Sequence, residues 1–323
     1  MVFTNQINYL IVGFIVGLIL QGIIVASSSR TRLIAAPSER GLHDFDIPTA
    51  GGLGFVVPIL FFLMLENRGD AELLNGIFWG CFLVAVISLW DDIKELKPIL
   101  RLLCHAIAVY IVIQGMILPG GTILAVIAAV ALVWHINLYN FMDGIDGIAG
   151  AQCLVFCIGI QIIGYPLGGW VGSVLWLLIG SIVAFLVFNW PKAKVFMGDV
   201  GSAVLGLLLA IVGIHLWSNG HMPIGTPFIL LSAFIFDTTY TLLIRIFTGQ
   251  RFFLPHRSHL YQRLAEKKGH LWTTLSFVVF GIFWLIPLAW VTSHFADWQY
   301  LIASVAISPL LVMSIKYRVG LSA

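Results

Sequence analysis

The chain has 323 residues, 60% of them hydrophobic and 10% charged, with a mean hydropathy of +1.01. A water-soluble domain has no use for that much apolar surface, so the composition implies a polytopic membrane protein. The formal net charge of only +2 removes the case for a nucleic-acid partner.

A membrane-spanning helix takes about 20 apolar residues. Such runs occur at 7–27, 50–65, 75–90, 99–117, 121–139, 147–165, 170–188, 201–217, 225–246, 273–293 and 299–315. The expected fold is therefore all-α, with about eleven transmembrane helices, or ten because the second and third runs are short. No soluble domain fits between the runs, so residues 1–323 are expected to form one membrane domain. The first run has no basic residue before it and exceeds a signal-peptide core, which predicts a retained anchor. Cys81, Cys104, Cys153 and Cys157 lie inside apolar runs without C-x-x-C spacing, as expected of buried, reduced thiols.

Basic residues give the orientation. With alternate loops assigned to one side, sixteen of the seventeen Lys and Arg residues share a face and only Arg68 falls opposite. By the positive-inside rule that face is cytoplasmic, with the N-terminus outside and the C-terminus inside. Almost all the acidic clusters share it.

The first loop of that face, residues 30–54, contains Pro37-Ser38-Glu39-Arg40, His43 and Pro48-Thr49-Ala50-Gly51-Gly52. The Gly-Gly pair at a helix start either presents N–H groups to an anion or packs closely behind a Thr49 N-cap. The second loop opens on Asp91-Asp92, adjacent carboxylates at the end of an apolar run that suit Mg²⁺ or a base with a tuned pKa. Lys94, three residues after Asp91, can share its face and reach a phosphate; a solvated Asp–Lys pair is the alternative.

The third loop, residues 140–150, reads Asn-Phe-Met-Asp-Gly-Ile-Asp-Gly-Ile-Ala-Gly. On a helix, Asn140, Asp143 and Asp146 would fall within an arc of about 120°. Three acceptor side chains beside small glycines suit a divalent cation or a sugar, whereas a polar helix end with a glycine packing seam is the plainer reading. The fourth loop, residues 189–202, contains Asn189 and, between glycines at a helix entry, Asp199, a helix cap or a metal ligand. The fifth loop carries Arg251, His256, Arg257, Ser258, His259 and Arg263, a set that fits a phosphate clamp or an anionic-lipid patch. Asp237 lies within a span, where a carboxylate is either functional or hydrogen-bonded to another helix. His105, His135 and His215 are expected to be hydrogen-bonded core residues.

Taken together, Asp91-Asp92, residues 140–150, residues 189–202 and His256 to His259 resemble the motifs of the polyprenyl-phosphate N-acetylhexosamine-1-phosphate transferases, glycosyl transferase family 4. Asn-Phe-Met-Asp-Gly-Ile-Asp-Gly and Val-Phe-Met-Gly-Asp-Val-Gly-Ser are specific; the Asp-Asp pair alone is weak. The resemblance implies that Asp199 is a Mg²⁺ ligand, aided by Asp91 or Asp92, and that Mn²⁺ can substitute. It implies catalytic roles for Asp91, Asp92, Asp143, Asp146 and His259, and substrate binding by Lys94, Asn140, Asn189, His256 and Arg257. Tyr261 and Gln262 stand where the peptidoglycan and common-antigen enzymes have further histidines, so the likeness is to O-antigen-initiating members. The implied partners are undecaprenyl phosphate, a UDP-N-acetylhexosamine (GlcNAc, FucNAc or QuiNAc type) and membrane lipid; a homodimer is compatible. The implied setting is the bacterial inner membrane.

The expected reaction is attack of the lipid phosphate on the sugar-bearing phosphorus with UMP leaving, directly or through an aspartyl-phosphate. A multi-span transporter or flippase is the rival reading. It accords less well with ionisable residues clustered in loops on one face and with the absence of an evident inverted repeat.

Overall fold

In hydrocarbon a chain must satisfy its own backbone N–H and C=O groups, so the apolar runs fold as helices. The computed structural model describes residues 2–27, 34–35, 47–66, 71–164, 167–251 and 256–321. These contain α1 (Val2–Ser27), α2 (Leu53–Leu65), α3 (Ala71–Ile93), α4 (Pro98–Gln114), α5 (Gly121–Met142), α6 (Ile148–Ile163) and α7 (Gly169–Asn189). They continue with α8 (Gly198–Ser218), α9 (Gly225–Phe247), α10 (Leu260–Lys268), α11 (His270–Phe280), α12 (Ile286–His294) and α13 (Gln299–Lys316). A π-helical turn over Gly281–Leu285 joins α11 to α12 as one 25-residue span. Each predicted run corresponds to one of these helices or to that joined pair, and the protein is an all-α, multi-pass membrane protein. Among the described residues, eight helices are long and apolar enough to cross a bilayer, while α2, α4 and α6 are shorter, at 13, 17 and 16 residues.

Two details differ from the sequence reading. The third run is not short: α3 has 23 residues because the helix begins earlier, at Ala71, and continues through Asp91 and Asp92 to Ile93, past the point where apolarity ends. The fifth loop contains α10, a nine-residue amphipathic helix that buries Leu260, Tyr261, Leu264 and Ala265. Extended pairing among the described residues is confined to Ile34–Ala35 against Ile47–Pro48, antiparallel. The Pro37 to Arg40 motif, His43, Arg30, Arg32, Arg68 and Asp70 lie outside the described residues.

α8 is the buried centre, with α2, α3 and α5 packed around it; α1 lies along α7, and α12 and α13 lie against α9. One continuous core runs from Phe55 to Val319, while outer positions such as Ile123 and Phe283 stay exposed, as contact with lipid requires. Polar side chains inside the bundle reach neighbouring backbone. Gln6 Nε2 donates to Leu167 O (2.6 Å), Gln21 Nε2 to Gly51 O (2.6 Å) and Gln152 Nε2 to Leu230 O (2.7 Å). His135 Nδ1 lies 2.6 Å from Gly206 O and ties α5 to α8, and His215 contacts Asn219, so both are hydrogen-bonded as expected. His105 is not: it is buried with no hydrogen bond at either ring nitrogen. The four cysteines are free.

The Gly51-Gly52 pair is neither an anion cradle nor a turn capped by Thr49. Gly51 N–H donates to Phe196 O (2.9 Å) and Gly52 N–H to Met197 O (2.8 Å), and no side chain caps α2. These bonds draw α2 against the start of α8 until backbone meets backbone. A Cβ on Gly201 would sit 2.7 Å from Gly52 Cα and 2.8 Å from Phe55 Cζ, so no larger residue fits without moving a helix. Gly201→Val is therefore expected to destabilise the protein by about 1–3 kcal/mol. Thermal unfolding in detergent should show a lower midpoint, and an unchanged midpoint would contradict this packing.

Candidate active site

The site forms where the ends of α3, α5 and α7 meet the starts of α4, α8 and α11. The first link is a cap supplied across helices. Asp92, near the end of α3, receives the first free amides of α8: Asp199 N–H at Oδ1 (3.2 Å) and Val200 N–H at Oδ2 (3.5 Å). A carboxylate is favourable at a helix N-terminus, which carries orphan N–H groups and partial positive charge. Asp92 thus does the capping that Asp199 could have done.

Asp199, in the first turn of α8, is left free to face its neighbours. Its Oδ1 accepts from Asn140 Nδ2 (2.8 Å), which also reaches Ser202 Oγ (3.1 Å). Its Oδ2 lies 3.2 Å from Arg101 Nη1, and the same nitrogen is 2.6 Å from Asp91 Oδ2. Asp91 Oδ1 accepts from Leu96 N–H (2.7 Å), closing the turn between α3 and α4. One guanidinium nitrogen therefore bridges two carboxylates from different helices.

Asn140, Asp143 and Asp146 do not share a helical face. α5 ends at Met142, and Gly147, at φ 77°, breaks the helix before α6 begins, a backbone conformation that side-chain-bearing residues rarely adopt. The turn nevertheless delivers all three to one cavity. Asp146 Oδ2 accepts from Ala193 N–H (3.2 Å), and its Oδ1 lies 3.3 Å from His270 Nδ1. Asn189 is buried with its amide engaged by backbone on both sides, accepting from Gly147 N–H (3.0 Å) and donating to Val195 O (2.8 Å). It pins the turn to the loop before α8. Asp143 lies in the cavity wall, where burial and then the negative charges of Asp199, Asp92 and Asp146 hold its carboxyl well above the usual range.

The fifth loop closes the cavity from the side of α9. The His256 and His259 rings stack 5.0 Å apart, and Ser258 Oγ is 3.0 Å from His256 Nδ1. Burial, then the neighbouring His259 ring and Arg245, push His256 down to about 4, so at neutral pH it is a hydrogen-bonding group rather than a cation. Asp237, fully buried in α9, accepts Leu260 N–H at Oδ1 (2.8 Å) and Tyr261 N–H at Oδ2 (3.0 Å), a second cap between helices. Tyr261 O–H donates to Phe141 O (2.9 Å) and anchors α10 beside the Asp143 turn.

The resulting cavity, about 1550 Å³, has two parts. Its polar end gathers Asp92, Arg101, Asn140, Asp143, Asp146 and Asp199, with His256, His259 and His270 opposite. From there an apolar groove runs between α4 and α5, past Leu102, Val109 and Ile113 on one side and Val126, Val130 and Val133 on the other. From Asn140 to Thr122, both lining it, α5 rises about 27 Å, close to the thickness of a bilayer's hydrocarbon core of about 30 Å.

Three of the expected side chains do not join this cavity: Asp91, which Arg101 links to Asp199 without its lining the space, Lys94 and Arg257. Lys94 is exposed, and the cation on Asp91 is Arg101 instead. Arg257 is half-buried and does not line the space. Two others do line it without having been singled out. Arg101 and His270 each sit in the first turn of an apolar helix, a position where a charged or ionisable group was readable but counted only toward orientation, or not at all. The donor set is hard oxygen, which fits Mg²⁺, and Asp91 and Asp199 already hold one cationic nitrogen between them. Among the described residues no group of three His, Cys, Asp or Glu side chains encloses a metal position. Mg²⁺ is commonly held by one or two carboxylates together with substrate phosphates and water.

Residues 74–217, which span the start of α3 to the end of α8 and hold every carboxylate lining the cavity, match the family model of glycosyl transferase family 4. Beyond that segment the similarity extends over most of the chain. A probable undecaprenyl-phosphate N-acetylglucosaminyl 1-phosphate transferase of Bacillus subtilis is 28% identical over 303 residues, covering 86% of this chain and 83% of the relative. A decaprenyl-phosphate N-acetylglucosaminephosphotransferase of Mycobacterium leprae is 27% identical, covering 76% and 73%. A phospho-N-acetylmuramoyl-pentapeptide-transferase of Streptococcus agalactiae is 29% identical, covering 70% and 78%. With its motifs gathered around one cavity and these relatives along most of its length, the chain is similar to the polyprenyl-phosphate sugar-phosphate transferases of glycosyl transferase family 4.

Proposed function

We propose that the protein transfers an N-acetylhexosamine-1-phosphate, of GlcNAc, FucNAc or QuiNAc type, from a UDP-sugar to undecaprenyl phosphate. UMP leaves, and the polyprenyl-diphosphate-sugar begins the synthesis of O-antigen or a related surface polysaccharide. The observation that carries this reading is the continuity of the cavity: a carboxylate-lined polar end opens directly into an apolar groove of membrane length. A lipid phosphate needs that pairing, its chain in the groove and its headgroup at the polar end. Relatives named for polyprenyl-phosphate substrates support the same assignment.

Both substrates are anions, so the site must reduce their repulsion and align the attacking oxygen with the phosphorus. Mg²⁺, held by Asp199 with Asp91, would when bound neutralise phosphate oxygens and stabilise the leaving group. Arg101 brings a fixed positive charge to the same place. Asn140 and Asp92 orient Asp199, one through its carboxylate and the other through the helix that carries it. His259 lines the opposite wall, where its ring can accept a proton or, as imidazolium, bind a phosphate oxygen, and neutral His256 can add an N–H donor. Asp146, tied to His270 and to the loop before α8, holds the two walls in register. The reaction takes place on the cytoplasmic side of a bacterial inner membrane, because the basic loops share the site's face and nucleotide sugars are cytosolic.

UMP release from UDP-GlcNAc, UDP-FucNAc and UDP-QuiNAc with undecaprenyl phosphate tests the reaction; sugar crossing sealed vesicles without UMP would favour transport instead. Asp199→Asn keeps the bond from Asn140 but removes the charge, so transfer should fall by at least about a hundredfold in a protein that still folds. Near-normal transfer would take Asp199 out of the site. Excess chelator should abolish turnover and Mg²⁺ or Mn²⁺ should restore it; turnover that persists after metal removal would exclude the metal role. Cysteines placed at Lys192 and Lys267 should react with impermeant thiol reagents from the cytoplasmic side alone, and labelling from the periplasm would reverse the orientation.

A further inference from the structure

His259 has a carboxylate neighbour that the transfer reaction does not explain. Asp237 is fully buried in α9, and its Oδ1 lies 3.5 Å from His259 Nδ1. That ring nitrogen is itself buried and makes no hydrogen bond of good geometry, although the His259 side chain also faces the Gln262 backbone N–H as one half of a capping box. A bare lone pair there would face a carboxylate oxygen and be repelled by it; a proton on Nδ1 turns the same contact into an attraction. The backbone beneath the ring is held by the same group, since the next two amides, Leu260 N–H and Tyr261 N–H, both end on Asp237. Thr241 Oγ1, 3.2 Å from Oδ1, adds a fourth group that constrains the carboxylate. Gln262 Oε1, accepting from His259 N–H (3.2 Å), completes the fastening.

We propose that Asp237 is a positioning residue for His259: it fixes the ring with its proton on Nδ1 and turns Nε2 toward the cavity that His259 lines. The arrangement parallels the carboxylate–histidine pairs that fix a tautomer in many hydrolases, here with the carboxylate inside a membrane span. Both carboxylate oxygens accept a backbone amide, and the ring contact at Oδ1 is made without giving up either cap bond. This inference rests on the reading of the cavity as a sugar-phosphate transfer site, and its test separates the two.

The first measurement uses the unaltered protein. Histidine side-chain ¹⁵N spectra, with the His259 signal assigned by its loss in His259→Gln, should show the proton on Nδ1 and a bare Nε2 when the ring is neutral. A proton on Nε2 with Nδ1 bare would overturn the proposal whatever the variants do. The second measurement compares Asp237→Asn, His259→Ala and the double variant, assayed with undecaprenyl phosphate and whichever UDP-N-acetylhexosamine of the panel releases UMP. Asp237→Asn should lower kcat by about ten- to a hundredfold while KM for either substrate moves less than about threefold. The double variant should be no worse than His259→Ala alone, within about threefold, because Asp237 acts through the ring that is already gone. Losses that multiply would make Asp237 a structural cap only. A fully active Asp237→Asn beside an inactive His259→Ala would overturn the proposal and leave the site reading intact. A fully active His259→Ala would overturn His259's place in the site, and the proposal with it.

Discussion

The arrangement depends on one contact, the carboxylate of Asp92 set against the N-terminus of α8. Three carboxylates from two helices stand together here, and their mutual repulsion would scatter them unless something positive lay between. Two things do: the orphan amides of α8, which Asp92 takes, and the Arg101 guanidinium, which Asp91 and Asp199 share. Because Asp92 does the capping, Asp199 need not turn back on its own helix and can present its carboxylate to Asn140 and to the cavity. α8 in turn can reach that position because Gly52 and Gly201 allow α2 to touch its backbone. The most buried helix of the bundle is thus also the one that carries the central charge.

The same device recurs on the other wall. Asp237 meets the first amides of α10 as Asp92 meets those of α8, and in both cases a carboxylate from one helix ends another. A cap supplied across helices fixes position more tightly than a local one, since it joins two elements instead of finishing one. Together the two caps set the walls of the cavity, the carboxylates on one side and the histidine pair on the other. The groove between α4 and α5 needs no such fastening: its side chains are apolar and its occupant, in the reading proposed above, is itself fluid.

Much of this was legible from the residue order. Hydropathy located the spans because backbone in hydrocarbon has only the helix available to it, and the basic residues collected the chemistry on one face. Asp199, Asp143, Asp146 and the histidine pair stood out because ionisable groups at the edge of long apolar runs are costly unless they have work or a partner. The errors share a cause. Local spacing put Asn140, Asp143 and Asp146 on one helical face and gave Asp91 to Lys94. The chain instead breaks at Gly147, and the partner of Asp91 is an arginine ten residues on, at the start of the next helix.

Composition and order alone therefore determined that the chain is an all-α membrane protein and where its helices run. Each of these follows from a preference a short segment expresses by itself, for hydrocarbon or for water. Tertiary structure decided the rest: that Asp92 is a cap, that Arg101 belongs to the site, that Asn189 is a latch, and that Asp237 lies against His259. These roles depend on distances between residues up to 108 positions apart, which only the packing of whole helices can set.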